Sequence, residues 1–173
     1  VLKDEIKMLN EKREHTKSLP GVKIPESIVF CDNLEAVLAD PDIVVLAVAS
    51  PYTRSTAHMM SPHVKEGQII VNVGKGIEET TLETLCHVVE DEIPQAQVAV
   101  LSGPSHAEEV GRGIPTTCVV GTRKKANAEF IQNVFMSNVC RVDTSPDMLG
   151  ICLGGSLKNV IALAAGMADG LGY

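Results

Sequence analysis

Short apolar runs rich in valine and isoleucine alternate with helical patterns along almost the whole chain, and this alternation limits its fold more than any other feature. Each run is bounded by turn-forming residues, which is typical of a buried strand. Strands that alternate with helices indicate βαβ units, so we predict an α/β fold with a mostly parallel, doubly wound sheet. The predicted strands are 27–30, 42–50, 68–73, 97–103, 116–121 and 139–143.

Helical periodicity fills the segments between these strands and also opens the chain. Asp32 or Asn33 can cap the first helix of the alternating region. The alternation stops near residues 143–147, where a long terminal helix is predicted to begin with Ser145 as N-cap. We therefore expect a domain boundary there. The predicted helices are 1–15, 33–40, 52–64, 81–93, 105–113, 124–136 and 145 onward.

Composition excludes several classes of function. Fifteen basic and 22 acidic residues give a net charge of −7, which argues against a general nucleic-acid or membrane-surface binder. The five cysteines and five histidines have uneven spacings without a C-x-x-C pair, so we expect reduced thiols in a cytoplasmic protein rather than disulfides or a metal site. We expect no apolar run that approaches the roughly 18 residues of a membrane span.

Three predicted strands end in unusual sequences, "VVLAVASP", "IIVNVGKGIEE" and "VAVLSGPSHAEEV". Ligands of doubly wound sheets bind beyond the carboxyl ends of the strands. In the second sequence Lys75 stands between Gly74 and Gly76, which allow a tight turn and a close approach to a ligand. The alternative is a solvated lysine in a surface turn.

The third sequence, "SGPSHAEE", has two interpretations. Ser105 and Glu108 match a capping box, which would make this only a helix start. Alternatively, the N–H groups from Gly103 onward can donate to an oxygen-rich ligand, with Glu108 and Glu109 disfavouring phosphate there. Two other sequences, "GKGIEE" and "GRGIPT", begin like a dinucleotide-binding loop, but neither completes G-x-G-x-x-G.

Lys158 is the only charged residue between 148 and 168 in the terminal helix. On a helical wheel it lies among small residues, opposite a bulky stripe. A helix that is apolar or small all round is usually buried on most sides. We therefore expect a buried Lys158 with a lowered pKa, suited to proton transfer. An exposed lysine, an acid on another element, or a Schiff base remain alternatives. The stripe comprises Leu149, Leu153, Val160, Leu163 and Met167.

Four blocks together resemble the bacterial NAD(P)-dependent sn-glycerol-3-phosphate dehydrogenases: "VLAVASP", "VNVGKGIEE", "VLSGPSHAEEVGRGIPT" and "LGGSLKNVIALAAGMADGLGY". This resemblance implies a partial Rossmann-type domain over 1–144 and the start of an all-helical domain over 145–173. It implies hydride transfer between NAD or NADP and the pair glycerol 3-phosphate and dihydroxyacetone phosphate, in a cytoplasmic homodimer that supplies phospholipid synthesis.

The resemblance also assigns roles. Lys158 would be the general acid/base, Lys75 would contact both substrate and cofactor, and no metal is implied. Substrate contacts would come from Gly103, Ser105 and Asn159, and cofactor contacts from Ala107 and Tyr52. The family's glycine loop and most of its helical domain do not occur in these 173 residues, so we expect this segment alone to be inactive. A dehydrogenase of another hydroxy acid or sugar nucleotide, and a non-catalytic remnant, are the alternatives.

Overall fold

The computed structural model describes residues 3–173, which build a five-stranded sheet in the order β1-β2-β3-β4-β5. β1, β2 and β3 are parallel, β4 runs antiparallel to β3, and β5 is parallel to β4. The predicted α/β class and mostly parallel sheet are confirmed. The strands are β1 (Val44–Leu46), β2 (Ile69–Asn72), β3 (Gln97–Ser102), β4 (Thr116–Thr122) and β5 (Cys140–Ser145).

The predicted strand at 27–30 is wrong, because this segment is irregular and joins no strand of the described sheet. Its Val29 is 85% exposed, so the segment lacks the burial that its composition suggested.

Helices occupy the segments between the strands as predicted. Asn33 is the N-cap of α2, since its side chain accepts a hydrogen bond from the Ala36 N–H. Two short 3₁₀ turns flank α3, at Ser50–Tyr52 and Ser61–His63. The helices are α1 (Lys3–Lys12), α2 (Leu34–Leu38), α3 (Thr53–Met60), α4 (Leu85–Glu92), α5 (Ala107–Gly111), α6 (Lys125–Phe135) and α7 (Met148–Gly170).

Helices pack on both faces of the sheet, each over its own aliphatic cluster. One cluster joins the sheet to α2, α3, α4 and the start of α7 through residues such as Ala57, Val89 and Cys152. The other joins it to α6 through residues such as Ile131. α6 lies over β4 and β5, and Val45 of the edge strand β1 remains 46% exposed.

The reversal of β4 determines where α7 runs. Because β4 and β5 are antiparallel to β3, β5 ends at the edge opposite the carboxyl ends of β1–β3. α7 therefore starts at that far edge and returns across the sheet. A Cβ on Gly121 would lie 3.4 Å from the Met148 Cα, and one on Gly155 would lie 2.7 Å from the Ser102 Oγ. Small residues thus bring the helix close to the sheet.

The terminal helix departs from prediction in its cap and its burial. Asp147, not Ser145, is the N-cap, since its carboxylate accepts from the Gly150 N–H. Ser145 instead accepts a hydrogen bond from the Asp147 N–H. The predicted burial on most sides is wrong for the described residues: Val160 is 61% and Leu163 62% exposed. The bulky stripe lies on the side of α7 turned away from the sheet, whereas Ile151, Cys152 and Gly155 face the sheet.

α7 is also long and apolar enough, by length and composition, to cross a membrane. An 18-residue window within Met148–Gly170 has a mean hydropathy of 1.6, and 6% of that window is buried. The expectation that no segment reaches this length is therefore wrong. A core helix of a globular protein meets the same criterion, and the first half of α7 packs on β3 and β4.

An ion-pair network ties α3 to α4 and to the segment that follows β2. The Arg54 guanidinium donates to Glu78 at 2.8 and 2.7 Å and to Glu92 at 2.9 Å. The Arg54 hydrogen bonds to Glu78, together with one from the Thr81 hydroxyl, lower the pKa of Glu78 from its ordinary 4.5 to about 2. Hydrogen bonds from Arg54 and His58 also lower the pKa of Glu92.

This network makes stability depend on pH in the acid range. Because the folded-state pKa of Glu78 lies below its ordinary value, its contribution is present above about pH 4.5 and is lost as pH falls towards 2. We expect Glu78→Gln to lower the urea midpoint at about pH 6, with a difference from the unsubstituted protein that shrinks as pH falls below about 4 and vanishes only below about pH 2. A midpoint difference that stays constant across this range would contradict the assignment, and Glu79→Gln is the matched control.

Candidate functional site

A cavity of about 340 Å³ lies beyond the carboxyl end of β3, between that strand end and α7. The three parallel strands β1–β3 all end at this edge, as predicted for a ligand site in such a sheet. The lining is mostly small or apolar, with a single charged side chain from α7. The lining residues are Ser102, Gly103, Pro104, Val119, Ile151, Gly154, Gly155 and Lys158.

The loop that carries Lys75 is held in place by two polar side chains. Asn72, at the end of β2, is buried, and its amide bonds both the N–H and the carbonyl of Gly74 at 3.2 Å. Ser156 of α7 accepts from the Gly76 N–H at 3.2 Å, and its hydroxyl lies 2.9 Å from the Gly76 carbonyl. Gly76 has φ +135°, a conformation that a side chain disfavours. The loop is therefore fastened to both the strand end and α7.

Lys75 is half-buried and points towards the turn after β3. Its ammonium donates to the Ser105 hydroxyl at 3.2 Å and the Ser105 carbonyl at 3.3 Å. Burial, and then the positive charge of Lys158, lower the pKa of Lys75. The alternative of a solvated surface lysine is therefore wrong, and the Lys75 ammonium lies within electrostatic reach of Lys158, which lines the cavity.

Ser105 is not a helix cap. The N-cap of α5 is His106, without a side-chain cap hydrogen bond, so the predicted capping box with Glu108 is wrong. The Ser105 hydroxyl instead accepts from Lys75 and lies 3.4 Å from the Gly103 carbonyl. The Ser105 hydroxyl therefore bonds within the candidate site. The Glu108 carboxylate lies 2.7 Å from the His106 ring nitrogen.

Lys158 lines the cavity as expected, but it is exposed, so the predicted burial is wrong for the described residues. Its helix passes the strand ends at Gly155 and continues beyond them, where the described residues place little around it. Proton transfer by Lys158 was predicted from burial of its ammonium. The described residues do not provide that burial. What the structure provides instead is a second cation, Lys75, whose own pKa is lowered by burial and by the Lys158 charge.

Two glycines allow the structural elements that line the cavity to pack closely against each other. A Cβ on Gly103 would overlap the Thr117 carbonyl oxygen, so only glycine fits this turn beside β4. Gly155 leaves room for Ser102, whose hydroxyl is buried with no hydrogen-bond partner among the described residues. A site at this edge can therefore offer an additional hydroxyl after a small movement.

The remaining predicted residues lie around this edge. Asn159 follows Lys158 on α7 and is exposed. Ala107 is the first residue of α5 and is also exposed. Tyr52 ends the 3₁₀ turn after β1 and is 64% exposed. The structure thus brings Lys75, Gly103, Ser105 and Lys158 together and leaves these three at the rim.

Sequence reasoning missed Asn72, Ser102 and Ser156. Asn72 and Ser102 are polar residues that end otherwise apolar strands, which was the available signal. Ser156 sits one turn after Cys152, on the flank of α7 that faces the sheet. Within residues 3–173, no group of three or more His, Cys, Asp or Glu side chains is arranged to hold a metal ion.

Family models match most of the chain in two pieces. The model of the NAD-dependent glycerol-3-phosphate dehydrogenase N-terminus matches residues 2–128, and that of the C-terminus of the same family matches 147–173. The chain belongs to the NAD-dependent glycerol-3-phosphate dehydrogenase family. The resemblance inferred from the four sequence blocks is confirmed.

Relatives of known name agree with this family. A glycerol-3-phosphate dehydrogenase [NAD(P)+] of Agathobacter rectalis is 64% identical over the whole of this chain and 52% of its own length. One from Fusobacterium nucleatum is 52% identical over 99% of this chain and 52% of its own. The crystal structure of glycerol-3-phosphate dehydrogenase from Coxiella burnetii superposes with a TM-score of 0.87 at 28% identity, covering 97% of this chain and 51% of that one. The chain thus spans about half the length of the curated relatives it matches.

Proposed function

We propose that the protein to which this chain belongs interconverts sn-glycerol 3-phosphate and dihydroxyacetone phosphate by hydride transfer with NAD or NADP. One observation carries the proposal: Lys158 lines a small cavity beyond the carboxyl ends of the parallel strands, and Lys75, from a different element, lies close enough for the Lys158 charge to lower its pKa. Two ammonium groups there suit a ketone whose oxygen gains negative charge during reduction. The similarity to relatives named glycerol-3-phosphate dehydrogenase [NAD(P)+] supports the same reaction.

The cavity also fits the reactive end of a nicotinamide cofactor. Its lining leaves open space beside Gly154, at the sheet edge where dinucleotides bind in doubly wound folds. No complete G-x-G-x-x-G loop occurs in these residues, so they would hold the nicotinamide side rather than the pyrophosphate. When bound, the nicotinamide supplies or accepts the hydride.

The chain's own residues have separate tasks in this proposal. The Lys158 ammonium stabilises the charge that develops on the carbonyl oxygen and donates the proton that completes the alcohol. Lys75, oriented by the Ser105 hydroxyl, adds a second positive charge and holds the substrate. Gly103 and Ser105 form the wall on which the substrate rests. Burial of Lys158 would come from parts of the protein outside this chain.

The proposal extends to the rim and to the assembly. Asn159 contacts substrate, whereas Ala107 and Tyr52 contact the cofactor. Residues 1–144 form part of the dinucleotide-binding domain, and 145–173 begin the helical domain, whose remainder covers the exposed Val160, Leu163 and Met167 of α7. The protein is a cytoplasmic homodimer whose glycerol 3-phosphate enters phospholipid synthesis. Light scattering of the purified full-length protein tests the dimer.

A substrate assay on the full-length protein tests the reaction. We expect oxidation of NADH or NADPH that depends on dihydroxyacetone phosphate, with glycerol 3-phosphate as the product. A non-phosphorylated hydroxy acid or a sugar nucleotide, assayed in the oxidative direction, is the control and should not be turned over. Turnover of a control compound but not of glycerol 3-phosphate would favour a related dehydrogenase, and no turnover of either would favour a non-catalytic protein.

A further inference from the structure

Two free cysteines meet behind the catalytic edge of the sheet. The sulfur atoms of Cys86 on α4 and Cys152 on α7 are 3.4 Å apart, although 66 residues separate them in the chain. Both side chains are buried, with exposed fractions of 3% and 9%. The two thiols are already in contact, so a disulfide bond of about 2.05 Å needs only a small approach of the two helices.

A second cavity, distinct from the one that Lys158 lines, gives access to this pair. It has a volume of about 610 Å³ and is lined by both cysteines. Its other walls include charged residues, with Arg123 bound to Glu90 at 2.8 Å and His87 and Asp147 nearby. A polar cavity of this size admits water and a small polar oxidant such as hydrogen peroxide.

The contact makes the two thiols chemically unequal. The pKa of Cys152 is lowered because the Cys86 S–H can hydrogen-bond to its thiolate. The pKa of Cys86 is raised by its contact with Cys152 and by burial. Cys152 is therefore the thiol that reacts first with an oxidant, and Cys86 is placed to resolve the product.

Both cysteines are connected to the loop that carries Lys75. The Asn72 amide, which bonds Gly74, also lies 3.8 Å from the Cys86 sulfur. Ser156, which bonds Gly76, lies one helical turn after Cys152 and contacts the Cys152 carbonyl at 2.8 Å. Movement of either sulfur therefore acts on one of the two attachments of this loop.

We propose that Cys86 and Cys152 form a reversible disulfide when a peroxide enters this cavity, and that the disulfide slows the enzyme by displacing the Lys75 loop. The regulatory part rests on the proposed function. The Cys152 thiolate attacks one peroxide oxygen, forming an S–O bond as the O–O bond breaks and water leaves. The Cys86 sulfur then attacks the sulfenic acid, forming the S–S bond and releasing a second water. Two electrons pass from the thiols to the peroxide, and an external dithiol reverses the change.

The experiment uses full-length protein, first reduced with dithiothreitol, then desalted and exposed to hydrogen peroxide. We expect the intact mass to fall by two hydrogen atoms and a peptide to appear that joins residues 86 and 152. The rate with dihydroxyacetone phosphate should fall on the order of tenfold, since small displacements of positioning groups have effects of this size or larger. Dithiothreitol should restore it.

Three variants separate the parts of the proposal. Cys86→Ser and Cys152→Ser should each keep their rate in peroxide and form no 86–152 peptide. Cys31→Ser, at an exposed cysteine elsewhere, should behave like the unsubstituted protein. Absence of the joined peptide overturns the disulfide, and an undiminished rate in protein shown to carry it overturns the regulation. Reduced protein without any dihydroxyacetone phosphate turnover would overturn the proposed function and its regulation, while the peptide would still report on the disulfide.

Discussion

Lys158→Ala should lower kcat for dihydroxyacetone phosphate reduction by about 10³-fold or more in the full-length protein. The variant loses both the positive charge beside the developing oxyanion and the proton donor, and general acid catalysis together with electrostatic stabilisation accounts for an effect of this size. Steady-state kinetics measure it. The affinity for the reduced nicotinamide nucleotide, followed by its fluorescence, should change little, because Lys158 lies at the substrate end of the cavity in this proposal.

The matched control is Lys125→Ala, which removes another exposed lysine from a helix on the opposite face of the sheet. Lys125 pairs with Glu129 at 3.4 Å on α6, so its loss should leave kcat unchanged. A Lys158→Ala protein that keeps a rate close to that of the unsubstituted protein would remove Lys158 from proton transfer. A large loss of nucleotide affinity would instead make Lys158 a cofactor-binding residue.

Lys75→Ala should be the second most damaging substitution, with kcat/KM lowered by about 10²-fold. Lys75 is half-buried and held by the Ser105 hydroxyl and carbonyl, so its ammonium is already oriented before substrate binds. We expect KM to rise and kcat to fall together, because the same charge holds the substrate and polarises its carbonyl. Initial-rate measurements over a range of dihydroxyacetone phosphate concentrations give both constants.

Two variants control for charge and geometry at this position. Lys65→Ala removes an exposed lysine that pairs with Asp40, and should leave both constants unchanged. Lys75→Arg keeps the charge, but its larger planar group cannot replace the ammonium between the two Ser105 oxygens, and we expect only partial recovery. Unchanged constants in Lys75→Ala would contradict the role given to this residue.

The sequence predicted the layers of the fold because apolar runs and helical periods are local signals. All five strands of the sheet lie within or next to predicted runs. The false strand at 27–30 shows the limit of this signal, since the three apolar residues from Ile28 to Phe30 do not reveal whether a neighbouring strand exists to bond them. The antiparallel direction of β4 could not be predicted from the sequence either. The direction of a strand depends on whether the connection before it returns to the same edge of the sheet as the previous strand's start.

The candidate site was predicted in part for the same reason. Lys75, Gly103 and Ser105 directly follow strands, so topology alone brings them to one edge. The burial of Lys158 was predicted from the composition of its helix. In the structure, Ile151 and Gly155 of α7 face the sheet, and the bulky stripe is turned outward. Ser156 could not be predicted, because its partner, Gly76, is 80 residues away.

Because α7 starts at one edge of the sheet and crosses it, the length of its first half determines where Lys158 lies. From Met148, beside Gly121, the helix reaches Lys158 after ten residues, which is about 15 Å at 1.5 Å per residue. A one-residue insertion or deletion there would swing the amine by about 100° around the axis and carry it away from the strand ends. We therefore expect a change in the length of this stretch to abolish the proposed function even when Gly155 and Ser156, which contact the sheet and the Lys75 loop, are kept.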